Sequence, residues 1–254
     1  MHDASPPLIS AARDYRWLLD RAYPQSASLK LVGDRHRLDR DERLVLFRGV
    51  FALRASASRR ARVSSKAGGR PLLVDAYNQL FAVMHYLAGR PVFISSDGLL
   101  RDAGASHGRI ADRDLFARAQ AILADAVAAT RPSAVSAFFD APVPFSADHA
   151  RAFEELLRER GLEACCSVER SADGPLKAAG PGSSVATGDS AIVDALIARA
   201  YAAKEAGGGS EEPAGTMVFD AARCAIERAF GPREWLDFGE VLDAPSLETP
   251  RGRP

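Results

Sequence analysis

The segment that most constrains the fold is an apolar run ending on an acidic residue, Pro-Leu-Leu-Val-Asp at residues 71–75. The aliphatic residues Leu72 to Val74 predict a strand buried on both faces, as in a parallel sheet. Asp75 then falls at the carboxyl end of that strand, where open α/β sheets bind their ligands. Asn78 follows and can turn its amide toward the same place. The segment therefore predicts an α/β fold with a functional site at the end of this strand.

Strand-like runs alternate with helical patterns along the chain after this segment. The further predicted strands lie at residues 90–98, 134–140, 162–168, 184–190 and 217–220. Amphipathic helical patterns separate them, and the clearest spans residues 114–130. Such alternation predicts βαβ units that build a mostly parallel sheet between two layers of helices.

The part of the chain before the first strand divides into two patterns. Residues 1–54 are mostly helical in pattern, with Asp39 as the predicted N-cap of a charged helix. Residues 55–70 are rich in Arg, Ser and Gly, and we interpret them as a basic linker. This linker is either a solvated charge run or a strip that contacts phosphates. The sequence thus predicts a helical region, a linker, a three-layer α/β domain at 71–243 and a disordered tail at 244–254.

Composition and charge narrow the function only slightly. The formal net charge is zero and the pI is about 7.0, so the global charge does not indicate a nucleic-acid partner, although local basic patches remain possible. No apolar run approaches the ~20 residues of a membrane helix, and the first residues lack the features of a signal peptide. Cys165, Cys166 and Cys224 have no metal-like spacing. We therefore expect a cytoplasmic protein without a membrane partner.

Aspartates follow four of the predicted strands: Asp75, Asp97, Asp140 and Asp189. The carboxyl ends of parallel strands share one edge of a sheet, so these carboxylates could cluster. Clustered carboxylates repel one another unless a divalent cation offsets their charge, and oxygen-only ligands suit Mg²⁺ or Mn²⁺. Such a site fits two-metal hydrolysis of a phosphodiester. Alone, each of these aspartates is more often a helix N-cap, or a turn residue in the case of Asp97 before Gly98.

Residues 187–194, Thr-Gly-Asp-Ser-Ala-Ile-Val-Asp, place two acidic groups around a predicted helix start. The free N–H groups of a helix N-terminus favour anions, so Asp189 and Asp194 would frame an anion site. Arg101 and Lys177 either bind phosphate or are ordinary surface residues, and His107 is a further candidate base. No dinucleotide-binding, P-loop or nucleophile-elbow motif is present in the sequence.

Two of these motifs resemble those of PIN-like and NYN-type nuclease domains. Residues 74–78, Val-Asp-Ala-Tyr-Asn, resemble the opening Asp-x-Tyr-Asn strand, and residues 187–194 resemble the later Thr-x-Asp-Ser segment. From about residue 11 to 230 the chain is also similar to the family named domain of unknown function 434, in which a short helical region precedes a PIN-like domain. Further matching stretches lie at residues 18–24, 31–34, 89–102 and 139–143.

The resemblance implies a PIN-like fold and a ribonuclease-type site that uses Mg²⁺ or Mn²⁺. Its expected catalytic residues are Asp75, Asp140, Asp189 and Asp194, and its expected metal ligands are Asp75, Asp97, Asp189 and Asp194. Substrate contacts are expected from Asn78, Thr187, Ser190 and Arg101.

Two other functions stay open at this point. The first is a non-catalytic nucleic-acid-binding or regulatory module on the same scaffold, with the basic run at residues 59–62 making the contacts. The second is a phosphatase-like hydrolase with Asp75 as nucleophile, although Tyr77 stands where a second aspartate would be expected. RNA is the expected partner, homo-oligomers are possible, and the sequence points to no particular protein partner.

Overall fold

A computed structural model of the chain shows a helical N-terminal region packed on an α/β unit with a mostly parallel sheet, which confirms the predicted fold class at that level. The predicted candidate His107 and residues 245–254 of the predicted disordered tail lie outside the described residues. The structure describes residues 5–65, 67–104, 110–205 and 215–244.

Within the described residues, six strands form one sheet in which every neighbouring pair is parallel. In spatial order they are β1 (Val63–Ser64), β8 (Met217–Phe219), β7 (Ser184–Ala186), β2 (Pro71–Asp75), β5 (Ala134–Asp140) and β6 (Ala164–Glu169). A separate antiparallel hairpin pairs β3 (Val92–Ile94) with β4 (Leu100–Asp102).

The described helices fall into an N-terminal group and a group associated with the sheet. The first group is α1 (Pro6–Leu19), α2 (Gln25–Arg35), α3 (Arg40–Gly49) and α4 (Leu53–Arg60). The second is α5 (Ala76–Leu87), α6 (Arg113–Thr130), α7 (Ser146–Glu159), α8 (Asp173–Lys177), α9 (Ser190–Glu205), α10 (Ala221–Phe230) and α11 (Phe238–Asp243). None of the helices in these described ranges has the length and apolar character needed to cross a membrane.

Alternate residues of the sheet pack into two different cores. Leu72 and Val74 join the core formed with α5, α6, α7 and α10, whereas Leu73 contacts the core formed with α8 and α9. This arrangement follows from the period of two along a strand, because successive side chains point to opposite faces. The continuous aliphatic run of β2 is therefore explained by burial on both faces.

The two central strands, β2 and β7, send the chain to opposite faces of the sheet. After β2 the chain enters α5 on one face, and after β7 it enters α9 on the other. Neighbouring parallel strands with diverging connections form a topological switch point, where a crevice opens beyond their carboxyl ends. Asp75 ends β2, and residues 187–189 follow β7, so both predicted motifs meet at this crevice.

The prediction that Asp97 ends a strand of the parallel sheet is wrong. Residues 95–99 form the turn of the β3–β4 hairpin, which lies outside the six-stranded sheet. Within this turn Gly98 has a φ of +84°, a conformation that glycine adopts without strain. The turn interpretation of Asp97 before Gly98 is the one that the structure supports.

The prediction of a basic linker at residues 55–70 is also wrong. Most of its first part belongs to α4, and Val63–Ser64 pairs with β8 as an edge strand. Arg59 is only 7% exposed, because its guanidinium group is taken up by two carboxylates. Local composition predicted either a solvated charge run or a strip that contacts phosphates, but acidic partners distant in sequence allow Arg59 to be buried.

The N-terminal helices share one apolar core with the end of the described chain. Phe238 and Leu242 of α11 pack with residues of α1 and α3 and with Phe93 of the hairpin. The boundary predicted at residue 54 therefore does not separate two independent cores. Helix α11 was not predicted, because its short apolar pattern carries little periodicity.

The predicted N-cap Asp39 is confirmed, and it forms a capping box with Glu42. The Asp39 carboxylate accepts from the Glu42 N–H at 2.8 Å, and the Glu42 carboxylate accepts from the Asp39 N–H at 3.1 Å. We expect Asp39→Ala to lower the free energy of unfolding by about 1 kcal/mol, because an N–H of the first turn loses its partner. Urea denaturation measures this change. Asp41→Ala, in the same turn without a capping bond, is the control, and an equal loss in both variants would contradict the capping role.

Candidate active site

The Asp75 carboxylate lies at the switch point and is oriented by a residue of the neighbouring strand end. Thr187 Oγ1 donates to Asp75 Oδ2 at 2.8 Å and accepts from the Asp189 N–H at 3.0 Å. Asp75 occupies the N-cap position of α5, yet its side chain makes no capping bond to that helix. The capping explanation therefore does not apply to Asp75, and Thr187 acts as its positioning residue rather than as a free substrate contact.

The protonation of Asp75 is strongly perturbed. Burial, together with the charges of Asp189, Asp140 and Asp173 and against the hydrogen bond from Thr187, raises the pKa of Asp75 to about 7. A carboxylate among like charges favours either a proton or a cation as its neutralising partner. Perturbation of this kind in a crevice is typical of functional sites.

The amide of Asn78 is held in one orientation by a chain of hydrogen bonds. The Ala222 N–H donates to Gln79 Oε1 at 2.8 Å, so Gln79 Nε2 faces Asn78 and donates to its Oδ1 at 2.8 Å. Asn78 Oδ1 also accepts from the Gly188 N–H at 2.7 Å. Backbone N–H groups can only donate, so both amides are fixed. Asn78 Nδ2, which has no acceptor among the described residues, remains available to a ligand.

Gly188 is the point of closest approach between the strand ends. A Cβ at this position would lie 3.1 Å from the Leu100 carbonyl oxygen and 3.3 Å from Asn78 Oδ1. A side chain would therefore push the turn away from Asn78 and loosen the bond to the Gly188 N–H. Ser190 begins α9 directly after this turn, as predicted for a helix start.

The charges of Asp140 and Asp173 act on the Asp75 carboxylate, but other groups of the protein partly engage both residues. Asp140, at the end of β5, accepts from the Ala172 N–H at 2.9 Å. Asp173 pairs with Lys177 at 2.6 Å, and both side chains are more than a third exposed. Lys177 thus lies near the acidic edge, where the hydrogen bond and charge of Asp173 raise its pKa.

Asp97 and Asp194 lie in a different group, which we call the arginine cluster (Arg59, Asp97, Arg101 and Asp194). Arg101 forms a bidentate pair with Asp97 at 2.8 and 3.0 Å, and Arg59 Nη1 reaches the same carboxylate at 3.2 Å. Arg59 also forms a bidentate pair with Asp194, with both distances 2.7 Å. Burial alone would raise the pKa of Asp97, but Arg101, Ser95 and Arg59 hold it below its ordinary value.

The arginine cluster is linked to the turn that carries Asp189. Arg101 Nε donates to the Gly188 carbonyl oxygen at 3.0 Å. The guanidinium carbons of Arg59 and Arg101 lie 4.6 and 4.7 Å from the centre of the Phe51 ring. Arg101 is only 6% exposed, and its guanidinium group is bound to Asp97 and to the Gly188 carbonyl oxygen. It is therefore not open to a substrate in this structure. The charges of Asp140 and Asp189 thus act on Asp75, whereas Asp97 and Asp194 pair with arginines.

The acidic group suits a hard divalent cation by its donor chemistry, since its ligating atoms are carboxylate oxygens. Among the described residues, no group of three or more Asp, Glu, His or Cys side chains is arranged to hold a metal ion. Mg²⁺ commonly binds through only one or two carboxylates and keeps several waters and substrate phosphates as its other ligands. The residues that fit such an open site are Asp75 and Asp189.

Several important residues of this region were not predicted as site residues. Asp220 ends a short strand like the predicted aspartates, but it caps α10 through the Arg223 N–H and accepts from the Leu100 N–H. Gln79 and Arg59 carry no motif of their own, because their roles depend on partners far along the chain. Asp173 could have been found, since it belongs to a Gly- and Pro-rich segment of the sequence that precedes the strand leading into residues 187–194, although the structure shows it as the first residue of α8.

These features define a class of protein: an open, parallel α/β fold with an acidic candidate site at its topological switch point. The chain belongs to the family described as "Domain of unknown function (DUF5616)", which matches residues 64–203. Residues 7–62 match a second family, described as "Protein of unknown function (DUF434)". The resemblance to domain of unknown function 434 is therefore confirmed for the helical N-terminal part. The border between the two matches falls at β1.

One curated relative is an uncharacterised protein of Methanocaldococcus jannaschii. It is 22% identical over 185 residues, which cover 72% of this chain and 87% of that protein. No solved structure matches the chain significantly.

Proposed function

We propose that this protein is a PIN-like nuclease that uses Mg²⁺ or Mn²⁺ to hydrolyse RNA phosphodiester bonds at the Asp75 site. The observation that carries the proposal is the environment of Asp75: a buried carboxylate at the switch point, surrounded by like charges and oriented by Thr187. A carboxylate kept in that environment is destabilising by itself, and a divalent cation would relieve the repulsion.

Each residue of the site has a role in this proposal. Asp75 and Asp189 hold the cation, and Asp140 adds negative charge beside them. Asn78 Nδ2 donates to a phosphate oxygen or to a bound water, since its Oδ1 is already engaged. The N-terminus of α9 adds a positive partial charge near the phosphate. When bound, the cation supplies an activated water and stabilises the leaving oxygen.

The PIN-like assignment and the choice of RNA rest on the motifs at residues 74–78 and 187–194, which resemble those of PIN-like and NYN-type nucleases. The meeting of these two motifs at one crevice supports the proposal, because they lie more than a hundred residues apart in sequence. The non-catalytic alternative relied on the basic run at residues 59–62. Arg59 of that run is buried and paired, so no observation favours this alternative.

Calorimetric titration with Mn²⁺ in the wild type, Asp75→Asn and Asp189→Asn tests the proposal. We expect each substitution to weaken Mn²⁺ binding by more than about tenfold and to abolish cleavage of a fluorescent RNA oligonucleotide. Asp148→Asn is the control, because Asp148 is an exposed carboxylate on α7 that pairs only with Arg151 among the described residues. Mn²⁺ binding and RNA cleavage that persist in both site variants would refute the proposal, provided that circular dichroism shows an unchanged fold.

A further inference from the structure

A pocket of about 360 Å³ lies beside the acidic site, between the start of α6 and the turn that follows β5. Its walls include the guanidinium group of Arg113, the aromatic ring of Phe145 and the imidazole of His149. None of these residues belongs to the cation site described above. The proposed hydrolysis leaves the pocket without a role.

Phe145 is presented to solvent at this pocket in an unusual backbone conformation. Its side chain is 59% exposed, and its φ is +65°, a region that costs a residue other than glycine about 1 kcal/mol. The Arg113 guanidinium lies 4.8 Å from the centre of the Phe145 ring. An exposed ring beside a guanidinium forms a surface on which a planar group can stack.

His149 adds a directional polar group to the same pocket. Its Nδ1 lies 2.9 Å from the Tyr77 hydroxyl, and its backbone carbonyl accepts from Gln120. The ring packs against Phe116 at 4.7 Å between centroids, which fixes its plane. Nε2 has no hydrogen-bond partner among the described residues, so it is free for a ligand.

Short links join the pocket to the acidic site. Tyr77, which holds His149, follows Asp75 by two residues, and the charge of Asp140 adds to the burial that raises the pKa of Tyr77. Pro144 follows Asp140 by four residues, so the two ends of that turn are at most about 14 Å apart. Tyr77 and the turn after Asp140 thus connect the two places, so a strand whose phosphate reaches Asp75 can extend toward this pocket.

We propose that this pocket binds a nucleobase next to the cleaved phosphodiester, with the base stacked on Phe145 and Arg113 and bonded to His149 Nε2. This inference rests on the proposed function for its RNA substrate, but it makes a separate claim about binding. Stacking is tolerant of base identity, so the pocket would hold the strand without selecting a sequence. An aromatic ring, a guanidinium group and an imidazole together fit a base better than a bare phosphate. A phosphate has no planar face that could stack on the Phe145 ring.

The test compares two fluorescent decamers, one of adenylate and one with the same sugar-phosphate backbone but no bases. Fluorescence anisotropy in excess chelator measures binding without cleavage and without a cation. We expect Phe145→Ala to weaken binding of the adenylate decamer about 5- to 150-fold and to leave binding of the abasic decamer unchanged. Phe145→Tyr should restore binding, and Phe230→Ala, which removes another partly exposed ring, should have no effect.

The inference fails if Phe145→Ala has no effect, if it weakens both decamers equally, or if the wild type binds both decamers with the same affinity. An unchanged circular dichroism spectrum of Phe145→Ala, and its unchanged binding of the abasic decamer, exclude loss of the fold as the cause. Because the assay contains no metal, its outcome does not depend on whether the protein is a nuclease. Base-dependent binding without any metal-dependent cleavage would uphold the pocket and refute the nuclease.

Discussion

Replacing Asp75 by Asn is expected to make the metal-free protein more stable above pH 7, by up to about 4 kcal/mol. Burial and neighbouring carboxylates raise the pKa of Asp75 from 3.8 to about 7 in the folded protein. A shift of that size corresponds to about 1.4 kcal/mol for each pH unit between the two values. Asn is uncharged at every pH, and its carbonyl oxygen can still accept from Thr187, so the variant avoids this cost.

The pH dependence of this difference follows from the direction of the shift. Between about pH 4 and pH 7 the folded state keeps the Asp75 proton and the unfolded state has lost it, so the wild type loses stability as the pH rises. The variant does not contain this titration. We therefore expect the two proteins to differ little near pH 4, and the difference to grow to its full size above pH 7.

Urea denaturation of both proteins in chelator, from pH 4 to pH 8, measures this effect. The surface variant Asp148→Asn serves as the control and should show no growing difference from the wild type. Adding Mn²⁺ at pH 8 should stabilise the wild type and not Asp75→Asn, because a ligand stabilises only the form that binds it. If the wild type is as stable as Asp75→Asn at pH 8 in chelator, the ionised Asp75 carboxylate does not destabilise the folded protein, and the prediction is wrong.

The second large effect is expected in the arginine cluster, where Arg101→Met should lower the free energy of unfolding by about 3–5 kcal/mol. Asp97 is fully buried, and Arg101 supplies its bidentate partner. Removing one member of a buried ion pair leaves an uncompensated charge, which costs far more than the intact pair contributes. Arg59 remains near Asp97, so the residual pairing keeps the loss within this range.

A matched surface substitution separates this effect from the general loss of an arginine. Arg151→Met removes an ion pair whose two side chains are 68% and 64% exposed, and should change the free energy of unfolding by less than about 0.5 kcal/mol. The double variant Asp97→Asn, Arg101→Met should recover part of the stability, since the unpaired charge is then gone. Equal losses in Arg101→Met and Arg151→Met would contradict a buried, charge-dependent role for Arg101.

Local patterns were sufficient to predict most of the α/β part. The strand at residues 134–140 was predicted with the same bounds that the structure shows, and the helix predicted at residues 114–130 begins one residue earlier, at Arg113. The apolar run before Asp75 predicted a central parallel strand, and β2 has five residues that end on Asp75. These predictions succeed because strand and helix periods depend on neighbours within a few residues, so the signal lies within each segment.

Partners distant in sequence determined which acidic residues share a site. Asp97 and Asp189 both follow apolar runs in the sequence. Asp97 lies in a hairpin turn beside two arginines, whereas Asp189 lies just past the end of β7, where its charge acts on Asp75. Arg59 and Asp194 are 135 residues apart, and no local pattern marks them as a pair.

The sequence by itself therefore determined the α/β alternation, the central strand and the candidate carboxylate at its end. Only the tertiary structure decided which strands are neighbours, that the switch point lies between β2 and β7, and which aspartates are neutralised by arginine. The physical reason is that the state of a carboxylate depends on burial and on charges within a few ångströms, whereas a sequence pattern records only what lies nearby along the chain.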